Sequence, residues 1–204
     1  MKKKLLALVL AAAMTLSLAA CGGSKTETPA DNSGDTAADT ETPAEGASYT
    51  VGICQLVQHP ALDAATQGFM DALNEALPGQ VKFENNNASG DATNCATIVN
   101  GFVSEGVDLI MANATAALTA AASATDTIPI LGTSITAYGV ALDIDDFNGT
   151  VGGNISGTSD LADLSKQADM ITEWFPEAQK VALLFCSAEP NSSYQIQEVA
   201  TCLA

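Results

Sequence analysis

Between residues 49 and 131 the chain repeats one pattern three times and begins a fourth. A short apolar run is followed by a polar loop, and then by apolar residues spaced three and four apart. The runs cover residues 49–56, 81–85, 107–111 and 128–131. Runs of this length suit strands, and the spacing that follows them suits one face of a helix. Strands joined through helices must lie parallel, because a tight hairpin cannot connect them. Nearly continuous apolar runs such as 107–111 belong to strands covered on both faces. The alternation therefore predicts an α/β fold with a doubly wound parallel sheet.

The first unit, YTVGICQLVQHPALDAATQGFMDALNEAL, shows the plan most clearly. Its helix face falls at Leu62, Ala65, Phe69, Ala72, Leu73, Ala76 and Leu77. His59 precedes Pro60, which restricts it to extended backbone and makes it an expected N-cap. In the second unit, Cys95, Ile98, Val99, Phe102 and Val103 mark a helix face, with Ser89 or Asp91 as its N-cap. Residues 138–142 and 151–155 read as further strands. A helix over 164–174, an apolar strand over 181–185 and a last helix from about Ser192 follow a Gly-rich crossing and suggest a second lobe. One strand and two helices leave sheet edges and apolar faces uncovered, so this lobe reads as incomplete and the chain as a fragment.

Ligands in open α/β sheets sit outside the carboxyl ends of the strands. Gln55 and His59 follow the first strand, Asn113 and Thr115 the third, and Thr133, Ser134 and Thr136 the fourth, so all should gather at one sheet edge. Each one alone is equally well explained as a helix cap. Together, hydroxyls, amides and the N–H groups of helix N-termini suit a carboxylate.

Ahead of the repeats, residues 1–20 have a basic start, an apolar run and a small-residue end, the layout of a secretory signal peptide. The run is too short for a stable membrane span. Leu18-Ala19-Ala20-Cys21 looks like a bacterial lipobox, whose Cys21 becomes lipid-modified and leads the mature protein. More than one acyl chain gives stable anchoring, so an extracytoplasmic protein tethered to the cell membrane is expected. From Gly22 to Ser48 no large apolar residue occurs. Such a stretch cannot bury enough surface to offset its ordering entropy and reads as a linker spanning roughly 30 Å. The expected divisions are 1–20 signal peptide, 21–48 lipidated linker, 49–156 first lobe, and 157–204 hinge crossing with an incomplete second lobe.

Seven lysines and no arginine stand against 24 Asp and Glu, a formal net charge of −17. That surface repels phosphate backbones and excludes a nucleic-acid role. Catalysis has no foothold. His59 is the one histidine, no paired carboxylates or triad spacing surround it, and Gly132-Thr133-Ser134-Ile135-Thr136 lacks the closing glycine of a nucleophile elbow. Asp143, Asp145 and Asp146 fail the pattern of a calcium loop and read as a solvated turn. No metal and no cofactor are expected. Cys54 and Cys95 fit core positions as free thiols; a Cys54–Cys95 disulfide, or one from Cys186, stays open, since connectivity is not legible in sequence.

The stretches VGICQLVQHPALDAATQGF, NASGDATNCATIVN, DLIMANATAAL, IPILGTSIT, GGNISGTSDLADL and LLFCSAEPNSSYQ resemble the substrate-binding lipoproteins of ABC transporters of the tryptophan/tyrosine type. The resemblance runs from Tyr49 to the end. It implies a two-lobed fold of the periplasmic-binding-protein type I class and a monomer that closes over a small ligand. An aromatic amino acid is the ligand implied, delivered to a membrane permease and its ATPase. It also implies that Thr115, Ser134 and Thr136 meet the ligand from one lobe and Ser187, Asn191 and Ser192 from the other. Gln55 and His59 would flank it, and residues 153–160 would carry the first hinge crossing. A tethered sensor that presents the same ligand to a receptor is the alternative.

Overall fold

The computed structural model describes residues 48–204. The expected signal peptide, the lipidation site Cys21 and nearly all of the linker lie outside the described residues. Five parallel strands, β1 (Tyr49–Gln55), β2 (Val81–Asn87), β3 (Leu109–Asn113), β4 (Ile130–Ile135) and β5 (Ile155–Ser159), form one sheet in the order β2-β1-β3-β4-β5. Helices α1 (Pro60–Ala76), α2 (Ala92–Glu105) and α3 (Thr115–Ala124) make the crossovers, and α4 (Tyr138–Leu142), α5 (Leu164–Trp174) and α6 (Pro190–Leu203) follow. The α/β class with an all-parallel, doubly wound sheet is the observed architecture.

The period of two along β1 decides which helix covers which face. Val51, Ile53 and Met111 form one buried cluster beneath Phe69, Met70 and Leu73 of α1. Cys54, Ile110, Ala112 and Ile130 point the other way, into a larger cluster with Cys95, Val99, Phe102, Leu118 and Ala121 of α2 and α3. Gly52 permits the close seat of α2, since a β-carbon there would lie 2.6 Å from the Phe102 ring. Helices on both faces explain why the strands read as unbroken apolar runs.

Helix starts follow local chemistry. His59 takes the extended backbone expected before proline, and its Nδ1 accepts from the Ala61 N–H at 3.2 Å. Asp91 rather than Ser89 caps α2, accepting from Thr93 N–H at 2.6 Å. Those backbone bonds hold the Asp91 carboxyl below its usual range. Gly106 then ends α2 in the left-handed region, as glycine readily does.

Three elements differ from expectation. Residues 138–142, expected as a strand, form α4. The Tyr138 hydroxyl donates to the carbonyl of Gly132 at 3.1 Å, and Ala141 is buried, so tertiary contacts decide between helix and strand for a short apolar run. The strand expected over 151–155 lies later, over Ile155–Ser159. Gly152 and Gly153 take positive φ just before it, and β5 pairs with β4 across the expected lobe boundary at 156. Residues 181–185, expected as a strand, join no ladder among the described residues; Leu184 is 98% exposed. An apolar run becomes a strand only where a neighbouring strand accepts its hydrogen bonds. Beside it, α5 and α6 pack through Leu164, Ala168 and Val199.

Candidate functional site

Register sets the site. Asn87, Gln55, Asn113 and Thr133 are paired in turn across β2, β1, β3 and β4, so they form one polar row at the carboxyl edge of the sheet. Gln55, Asn113 and Thr133 were each expected at that edge from the strand pattern. Their side chains serve different ends.

Gln55 and Asn113 share the α1 side of the sheet with Ile53 and Met111, and both are buried. The Asn113 amide donates to the Leu62 carbonyl at 2.8 Å and to Thr66 Oγ1 at 2.9 Å. Thr66 Oγ1 in turn donates to Gln55 Oε1 at 2.7 Å. The Gln55 amide donates to Asp63 Oδ1 at 2.6 Å and to the Val57 carbonyl at 2.9 Å. Each donor in this relay meets an acceptor, ending on a carboxylate, so its direction is defined. Its work is to pin the first two turns of α1 to the sheet. Thr66 and Asp63 went unnoticed in the sequence, where a threonine at a helix-face position reads as a tolerated polar residue. Asn113 Oδ1 is buried with no hydrogen-bond partner.

Thr115 opens α3 and is 5% exposed. The residue before it, Ala114, has φ 88° and supplies no side-chain cap, so the first N–H groups of α3 are left without a side-chain acceptor. Ser134 has φ 56° within β4, and Ser89 has φ 56° after β2. Non-glycine residues rarely adopt this conformation, and three of them lie just beyond or within the carboxyl ends of neighbouring strands. Thr136 is buried, and its carbonyl accepts from Ser159 Oγ at 2.9 Å, which ties the end of β4 to the end of β5.

Two cavities open near this edge. One, of about 650 Å³, is bounded by Gln55, Gln58, Asp63, Asn85, Asn87 and Ser89, without His59. The other, of about 370 Å³, lies between α2 and α3, where Thr115 and Thr119 face Ala188 and Pro190. The structure thus brings the start of α3 close to the loop that leads into α6. Ser187 precedes this loop and is exposed; Asn191 and Ser192 are half-buried in the first turn of α6. Ser192 Oγ donates to Glu189 Oε2 at 2.9 Å. His59 is occupied as a helix cap outside both cavities. No lysine lines either cavity, so an anionic group there would rely on helix N–H groups and hydroxyls.

Comparison with known proteins agrees with this architecture. The family model described as ABC transporter substrate binding protein matches residues 50–204. A tyrosine-binding protein from Clostridioides difficile (strain R20291) is 34% identical over 155 residues, covering 73% of this chain and 44% of its own length. An ABC domain from Streptococcus pneumonia, solved in complex with L-Trp, superposes with TM-score 0.70 at 31% identity, covering 77% of this chain and 54% of that one. A ligand-free, open structure of a substrate-binding protein with adhesive properties from Clostridium difficile superposes with TM-score 0.59 at 33% identity, over 75% of this chain and 52% of that one. The chain spans about half the length of the relatives it matches. Its sheet and helices are part of a periplasmic-binding-protein type I-like fold.

Proposed function

Because the chain belongs to the ABC transporter substrate-binding protein family, we propose that it binds an aromatic amino acid at the carboxyl edge of its sheet and delivers it to a membrane permease. The observation that carries this reading is the uncapped start of α3. Ala114 holds the backbone at φ 88° without offering a cap, beside the Thr115 hydroxyl and the Ser134 turn. A helix N-terminus with free N–H groups attracts a carboxylate through its dipole and its hydrogen bonds together. The names of the relatives, a tyrosine-binding protein and a domain holding L-Trp, support an aromatic side chain on that carboxylate.

Residues 49–156 act on this reading as a first lobe and 157–204 as the crossing into a second. Ser187, Asn191 and Ser192 approach the ligand from that second side. Closure follows from ligand contacts that favour the closed arrangement over the open one. Cys21 carries lipid and the following linker tethers the domain outside the cell membrane, a reading supported by the apolar leader and the Leu18-Ala19-Ala20-Cys21 sequence.

Calorimetric titration with the twenty amino acids tests the assignment. An aromatic amino acid gives saturable heat, and Thr115→Ala combined with Ser134→Ala weakens it at least about tenfold, near 1.4 kcal/mol, at a nearly unchanged melting temperature. Equal affinity in the double variant would remove the start of α3 from the site.

A further inference from the structure

Cys54 is the penultimate residue of β1, and Cys95 lies in the first turn of α2; neither has any accessible surface. Both side chains enter the same core cluster. Their juxtaposition follows from the packing of α2. Gly52 lets the Phe102 ring press directly on β1. Two residues further along the strand stands Cys54, on the same face. Seven residues back along the helix stands Cys95, two turns nearer the carboxyl edge and on the same stripe as Val99 and Phe102. Strand and helix run in opposite senses, so both steps lead toward the same edge. The two buried thiols meet in the same core cluster there, each the leading influence on the other's titration.

We propose that Cys54 and Cys95 form a disulfide that ties the end of β1 to the start of α2. The co-reactant is a small-molecule disulfide. One thiol of the pair loses its proton to solvent and, as the thiolate, attacks one sulfur of that small disulfide, forming a mixed disulfide and releasing one small thiolate. The other thiol gives its proton to solvent and attacks the cysteine sulfur of that mixed disulfide, expelling the second small thiolate. Two electrons pass from the protein pair to the small disulfide, and one new S–S bond replaces the one consumed.

Because neither sulfur is accessible in the folded chain, exchange takes place before α2 settles on β1. The bond would lie directly behind Gln55 and the turn at Ala88, whose N–H donates to the Gln55 carbonyl at 2.8 Å. It would therefore stiffen one lip of the larger cavity.

The full chain, unfolded in denaturant with reductant, is refolded in a buffer of reduced and oxidised glutathione, alkylated in denaturant and digested. The proposal expects a joined pair of peptides carrying Cys54 and Cys95. The pair is lighter by two hydrogens than its separate thiol forms, and reductant lowers the melting temperature by about 5–10 °C. A chain with both Cys186→Ser and Cys202→Ser keeps the same joined pair. Recovery of Cys54 and Cys95 as separate alkylated peptides, or joined only to Cys186, Cys202 or glutathione, would overturn it.

Discussion

At the scale of single residues, Thr66 decides how the first helix meets the sheet. Its hydroxyl accepts from Asn113 and donates to Gln55, and all three side chains are buried. Thr66→Val keeps the shape and removes both bonds, leaving Gln55 Oε1 and one Asn113 hydrogen unpaired away from water. We expect a loss of about 1–3 kcal/mol in denaturant unfolding, largely recovered by Thr66→Ser. A Thr66→Val variant as stable as the parent would show that the relay does not hold α1. The same residues mark the limit of sequence reading. Gln55 and Asn113 were legible as edge residues because strand ends are legible. That their side chains turn under α1 depends on strand parity relative to a helix whose face is known only after folding.

At the scale of elements, α5 offers a pH test. Asp163 caps it, accepting from Ser165 Oγ at 2.7 Å and from Lys166 N–H at 3.2 Å, with Lys166 Nζ at 3.0 Å. The Ser165 bond foremost, with the Lys166 bonds, lowers its pKa from 3.8 to about 2. A carboxyl lowered on folding stabilises above its unfolded value, and that contribution is lost as pH falls through its folded value. The group is exposed, so the effect is small and screened by salt. At low salt the melting temperature of the parent should exceed that of Asp163→Asn near about pH 5, with the gap closing toward about pH 2. A gap independent of pH would contradict the assigned cap.

Elements differ in how far sequence reveals them. The crossover helices α1 and α2 were legible because long amphipathic spacing has one reading, and α3 because alanine favours helix; His59 read both as a cap and as a residue flanking ligand, and the cap of α2 as Ser89 or Asp91. Residues 138–142 and 181–185 were not, because a five-residue apolar run becomes helix, strand or neither according to its neighbours. Tyr138 found the carbonyl of Gly132; residues 181–185 found no ladder among the described residues.

At the scale of the whole molecule, the parallel sheet gathers backbone strain and open N–H groups at one edge. His59 and Asp91 cap α1 and α2, whereas Ala114 leaves the start of α3 without a side-chain cap. The family places the chain among substrate-binding proteins, and the chemistry of the edge suits a carboxylate without requiring a cation. The most direct measurement is a nuclear magnetic resonance titration of the isotope-labelled chain with L-tyrosine and L-tryptophan at millimolar concentration, with D-glucose as the control. The backbone amides of Thr115, Ala116 and Ala117, together with that of Ser134, should shift progressively with the aromatic amino acids and stay still with the sugar. Unmoved amides at the start of α3, or equal shifts with glucose, would contradict the proposed site.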